Sequence, residues 1–113
     1  MHELAIAKGI VDIAEAEKVK QGFGRVLEIN LAVGEYSGIV AQCIMEMFPA
    51  AAEGSCAEGA SLNLSILKAE FRCPECGYLG PVERKKACCP ECGGTTLKMT
   101  SGRDFYVESL KVE

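Results

Sequence analysis

The chain has 113 residues, 49% apolar and 25% charged, with 12 Lys plus Arg against 16 Asp plus Glu for a net charge of −4. That length holds one small domain, or one domain carrying a metal-stapled appendage. The acidic balance weighs against a nucleic-acid binder, which needs a basic face to neutralise phosphates.

No apolar run approaches the ~18 residues that span a bilayer. Glu3, Lys8 and Asp12 interrupt the apolar start, so no signal peptide is expected either. Residues 3–20 read as an amphipathic helix, with Ile6, Ala7, Ile10, Ile13 and Ala14 on one stripe and Lys8, Asp12 and Glu15 opposite. Gly9 inside it costs about 1 kcal/mol. Residues 25–33 alternate as a half-buried strand: Leu27, Ile29, Leu31 and Val33 face one way, Glu28 and Asn30 the other. The turn Glu35-Tyr36-Ser37-Gly38 follows, with Ser37 as N-cap of a helix over 39–53. That helix is expected to bury Val40, Ile44, Met47, Phe48 and Ala51, with Pro49 kinking it or ending its regular part. Met45, Met47 and Phe48 read as helix packing rather than a copper site.

A loop over 54–60 leads to a strand in which Leu62, Leu64 and Ile66 alternate with Asn63 and Ser65 and which runs toward Phe71. Residues 95–99 suggest a short strand and 105–112 a final one, expected beside 62–70. The fold class is therefore α/β: a small two-layer domain of two helices on a three-stranded sheet, with an inserted four-cysteine zinc-ribbon module. The predicted division is 1–71 plus 101–113 for the α/β domain and 72–100 for the ribbon.

The insertion is defined by Cys73-Pro74-Glu75-Cys76-Gly77 and Cys89-Pro90-Glu91-Cys92-Gly93, with twelve residues between Cys76 and Cys89. Thiolates two residues apart can grip one metal ion from a tight turn. Proline presets φ there, and glycine admits the positive φ that turns backbone N–H groups toward sulfur. Two such knuckles supply the closed tetrahedron of structural zinc, with Zn–S near ~2.3 Å. An iron centre of the rubredoxin kind uses the same pattern. Three of the seven cysteines remain, an odd number that fits a reducing cytoplasm. Cys43 is expected in the core, Cys56 as a free loop thiol and Cys88 outside the ligand set. Glu83-Arg84-Lys85-Lys86, between the knuckles, reads as a solvated hairpin tip; a docking patch for an acidic partner is the alternative.

Met1-His2-Glu3 holds the only histidine. A bulky second residue disfavours methionine removal, so the α-amine of Met1 is expected to stay beside His2. The amine, the deprotonated His2 amide nitrogen and the imidazole can close fused chelate rings, a nitrogen-rich set suited to Ni(II) or Cu(II). The alternative is an exposed terminus, with Glu3 favouring the helix dipole. The residues alone leave both open.

MHELAIAKGIV at the start, LAVGEYSGI, and the two CPECG knuckles with their spacer closely resemble the HypA family of hydrogenase maturation factors, in order along the whole chain. The resemblance implies a nickel metallochaperone rather than an enzyme. It implies a transient Ni(II) site at Met1, His2 and Glu3, and structural Zn(II) at Cys73, Cys76, Cys89 and Cys92. It also implies a HypB-type GTPase and the [NiFe]-hydrogenase large subunit as partners, in the cytoplasm, for a monomer or weak homodimer. Val40 stands where the family commonly has an acidic residue, so a carboxylate ligand from that position is lost; Glu35 or Glu3 could substitute. No nucleophile–base pair or phosphate-binding loop is readable, which leaves any GTP hydrolysis to the partner. Two rival readings remain: a zinc-ribbon adaptor without nickel delivery, and a rubredoxin-like electron carrier.

Overall fold

A computed structural model describes residues 3–113. Helix α1 (Glu3–Gln21) buries Ala7, Ile10, Val11 and Ala14, spaced to share one face. Ile13 was expected on that stripe but is 46% exposed. At 3.6 residues per turn it points about 110° from the centre of the buried face, and Val11 takes the place assigned to it.

Strand β1 (Val26–Gly34) is central, with Ile29, Leu31, Ala32 and Val33 all buried. Helix α2 (Ala41–Ala52) then crosses back to β2 (Ser61–Leu67), which pairs parallel to β1 from Glu28↔Ser61 to Gly34↔Leu67. Parallel neighbours require such a crossover, and here it supplies the second helix of the layer. The final strand β6 (Phe105–Val112) pairs antiparallel with β1, giving the order β2-β1-β6. The expectation that it would lie beside 62–70 is corrected. β2 stops at Leu67, and the chain leaves this sheet, so the edge open to β6 is the far side of β1.

Helix α2 buries Ile44, Phe48 and Ala52 and runs three residues past Pro49. Three expectations about it fail. Val40 (52%), Met45 (49%) and Met47 (39%) are exposed rather than packed. The N-cap is Val40, with no side-chain cap bond, while Ser37 Oγ accepts only from the Ile39 amide, at 3.3 Å. Cys43 is only half-buried, whereas Cys56, in the loop after α2, joins the core with its thiol free. Glu15 reaches that loop: its Oε1 accepts the Cys56 amide at 2.8 Å.

A second antiparallel sheet has the order β4-β3-β5, built from β3 (Glu70–Arg72), β4 (Leu79–Gly80) and β5 (Lys98–Ser101). The radius of gyration is 17.7 Å and the longest extent 53 Å. A single compact domain of this length would have a radius near ~13 Å. The excess reflects two sheets lying end to end.

Three backbone bonds gather the end of β2 and the β5–β6 connection around the turn after β1. Gly34 N donates to Asp104 O at 2.6 Å, Glu35 N to Leu67 O at 2.9 Å, and Tyr36 N to Gly102 O at 2.7 Å.

Candidate metal centres

The two knuckles repeat one hydrogen-bond plan. Gly77 N donates to Cys73 O and Gly93 N to Cys89 O, both at 2.9 Å. In the reverse direction, Cys73 N donates to Tyr78 O at 2.9 Å and Cys89 N to Gly94 O at 2.8 Å. Closing each turn needs positive φ, and Gly77 (79°) and Gly93 (77°) supply it. Gly94 serves a different purpose: a Cβ there would lie 2.5 Å from a Glu75 carboxylate oxygen and 3.3 Å from Cys92 Sγ.

Folding the knuckles together brings the sulfurs of Cys73, Cys76, Cys89 and Cys92 all within 4.8 Å of one another. Cys73 Sγ lies 3.6 Å from Cys92 Sγ, and Cys76 Sγ lies 3.5 Å from Cys89 Sγ. A tetrahedron with metal–sulfur bonds of ~2.3 Å has sulfur–sulfur edges of about 3.8 Å, so the four thiols fit one ion with little movement. Cys73 and Cys89 are buried, while Cys76 and Cys92 form the open edge.

The thiols are also electrostatically unequal. Burial pushes Cys89 up, but N–H groups of Cys92 and Glu91 and the neighbouring thiols outweigh it, bringing Cys89 down to about 7. At Cys76 the Tyr78 N–H lowers the value, but desolvation and the three other sulfurs prevail and push it up to about 12. Four sulfurs this close cannot all ionise unless a cation joins them, the behaviour of a metal-binding cluster. Among the described residues, no other group of three or more His, Cys, Asp or Glu side chains converges in this way. Cys88 lies outside the quartet.

Of the expected N-terminal site, Met1 and His2 lie outside the described residues, and Glu3 is the first residue of α1. Glu35, one of the two carboxylates considered in place of Val40, is engaged within the fold: its Oε1 accepts the Ala69 amide at 3.0 Å, and its Oε2 lies 3.7 Å from Arg84 Nε.

Residues 83–86 are exposed, as a solvated tip requires, but Arg84 also makes a contact that was not expected. Its guanidinium lies 4.1 Å from the Tyr36 ring centroid and donates through Nη2 to Glu35 O at 2.7 Å. No local pattern signals this contact, because its partners are 49 residues apart.

The family described as "Hydrogenase/urease nickel incorporation, metallochaperone, hypA" matches residues 1–112. The hydrogenase maturation factor HypA of Chlorobium limicola is 37% identical, covering 100% of this chain and 97% of its own length. That of Azotobacter vinelandii is 36% identical and covers 100% of both chains. In fold, the chain is similar to the solution structure of the Ni metallochaperone HypA from Helicobacter pylori. That likeness has a TM-score of 0.71 at 21% identity, over 99% of this chain and 97% of the other. A further HypA solution structure has a TM-score of 0.72 at 22% identity, over 100% of this chain and 97% of the other.

Proposed function

The chain belongs to the HypA family of metallochaperones, which are not enzymes, and from that premise we propose that it delivers nickel to a [NiFe]-hydrogenase large subunit during maturation. The observation that carries the reading is the family match over residues 1–112, which takes in Met1-His2-Glu3 and both CPECG knuckles in one frame. Residues 1–71 with 101–113 hold the nickel, and residues 72–100 form the zinc module. The setting is the cytoplasm, with a HypB-type GTPase as the partner that supplies nucleotide hydrolysis.

Nickel is cargo. The Met1 amine, the His2 amide nitrogen and the His2 imidazole present three nitrogens to it, with Glu3 orienting or completing the set. Each donor gives up a proton to bind, so acid weakens loading, and a partner that offers the ion competing donors can take it away as the terminal nitrogens are released. In the four-cysteine module a bound zinc ion supplies no reaction, only a closed tetrahedral crosslink. Cys73 and Cys89 anchor that crosslink in the buried side of the module, and their knuckle N–H bonds keep the sulfurs aimed inward.

The test uses untagged protein with its native N-terminus. Bound zinc and iron are quantified, and Ni(II) is titrated into wild type and His2→Ala at neutral pH. One zinc per chain, and one nickel bound by wild type but not by the variant, is the expected result. Equal nickel binding by both, or by neither, overturns nickel delivery through His2 in favour of a zinc-ribbon adaptor. Stoichiometric iron in a red protein would indicate the electron carrier instead.

A further inference from the structure

The loop from Gly77 to Cys88 leaves one knuckle and returns to the other, and its ends are set by Cys76 and Cys89, whose sulfurs lie 3.5 Å apart. Beyond β4, the segment 81–88 lines one side of a cleft of about 830 Å³, with Glu35, Lys68 and Tyr78 among the other residues around it. Among the described residues, Arg84 supplies the hydrogen bond and the ion pair that tie residues 81–88 to the turn after β1. The other polar contacts of this segment stay local: Tyr78 Oη donates to Pro81 O, and Lys86 pairs with Glu83.

The seat of Arg84 is itself a junction. Tyr36 carries the guanidinium near its ring and meets Phe71 edge-on, with centroids 5.9 Å apart. Phe71 lies in β3, two residues before Cys73. Glu35 accepts from Arg84 through its backbone oxygen while its carboxylate holds the Ala69 amide in the strand connection. Arg84 is half-exposed, so a point charge alone would be screened by water. Its planar fork and its aromatic contact give the interaction its geometry.

We propose that Arg84 is a latch through which metal occupancy of the four-cysteine centre sets how that module is held against the helix–sheet layer. With the ion bound, the ends of the twelve-residue loop are fixed, which lowers the entropy cost of seating Arg84 on the Glu35–Tyr36 turn. Without it the loop ends separate, Arg84 leaves, and the turn loses its cover. Because that turn leads from β1 toward α2, the metal state is felt outside the module. This inference rests on the zinc reading above but not on the nickel site.

The test is amide hydrogen exchange on the full chain, zinc-loaded and after chelator treatment, for wild type, Arg84→Ala and Arg84→Lys. The reporters are the amides of Ala69 and Tyr36. In wild type, removing zinc should lower their protection by about tenfold, the scale of one charge-assisted hydrogen bond plus a cation–π contact. Zinc-loaded Arg84→Ala should already show that loss, with one zinc still bound and the β1 amides of Ile29 and Leu31 unchanged. Zinc removal should then add little. Arg84→Lys, which keeps the charge but not the fork, should fall between. Unchanged protection in zinc-loaded Arg84→Ala overturns the latch, as does an equal response to zinc removal in wild type and Arg84→Ala. Wild type that takes up no zinc overturns the zinc reading and the latch with it.

Discussion

Gly34→Ala tests how the two halves of the molecule are joined. Gly34 ends β1 where the returning strand crosses it most closely. A Cβ there would meet the Gly102 carbonyl oxygen, the Gly102 carbonyl carbon at 2.7 Å and the Asp104 oxygen at 2.8 Å. These are backbone atoms, so no side chain can swing aside. Restoring ordinary contact requires residues 102–104 to retreat by roughly 0.8–1.3 Å, given optimal carbon contacts of about 3.5–4 Å. That stretches the Gly34–Asp104 and Tyr36–Gly102 bonds, now 2.6 and 2.7 Å, toward or past their useful limit. Two weakened bonds at about 0.5–1.5 kcal/mol each, with overpacking strain of about 1–3 kcal/mol, give a loss of about 2–6 kcal/mol. A chain of this size has roughly 6–17 kcal/mol in all, so the loss is large.

The assay is urea unfolding with zinc in excess, followed by far-UV circular dichroism and by tyrosine fluorescence, since the chain has three Tyr and no Trp. With a slope of about 1.5 kcal/mol/M, the midpoint should fall by about 1.3–4 M. Gly9→Ala is the control, because a Cβ at Gly9 meets nothing within 4 Å. It lies inside α1, where alanine is better than glycine by up to about 1 kcal/mol, so its midpoint should rise. A Gly34→Ala midpoint within about 0.3 M of wild type, well inside the shift expected from the slope, would refute the close-approach argument.

Two further outcomes follow from single residues. Val40→Asp gives α2 the N-cap side chain it lacks, and the thermal midpoint should rise with a gain of about 1 kcal/mol. It also returns a carboxylate to the position where the resemblance marks one as missing, so nickel should bind more tightly in competition against a chelator. A fall in both quantities would argue against both readings. The Cys56 backbone N–H holds the Glu15 carboxyl below the usual carboxylate range, so its contribution to stability is full above the unfolded value and is lost as pH falls through the folded one. Glu15→Gln should therefore be less stable than wild type near neutral pH, with the gap in melting temperature closing in acid. A gap that stays constant between pH 7 and the acid limit would show that the carboxylate charge is irrelevant.

The expectations that held rest on signals contained in a few adjacent residues. The apolar periodicity of residues 6–14 marked α1, and the alternation at 27–33 marked β1. The CPECG repeats named the sulfurs that converge, because a chelating turn is specified within five residues and needs no tertiary context. The expectations that failed concern neighbours. Ile13, Met45 and Met47 are apolar and lie on helices, but helical phase and the limited width of one sheet leave them in water. The contacts of Glu35 with Ala69 and Arg84 likewise join residues far apart in the chain and were not readable from it.

The sequence by itself determined both helices, the three strands of the first sheet to within a few residues, the four-thiol cluster and the family, all through short-range pattern or residue-by-residue match; the short strands β3 and β4 were not expected, and the strand expected at 95–99 lies at Lys98–Ser101. Only the tertiary structure decided that β6 takes the far edge of β1, that the chain closes on itself at Gly34, and that Arg84 sits on Tyr36. Those choices depend on which backbone edge is free and which surfaces meet once the α2 crossover is made. No stretch of adjacent residues encodes that information.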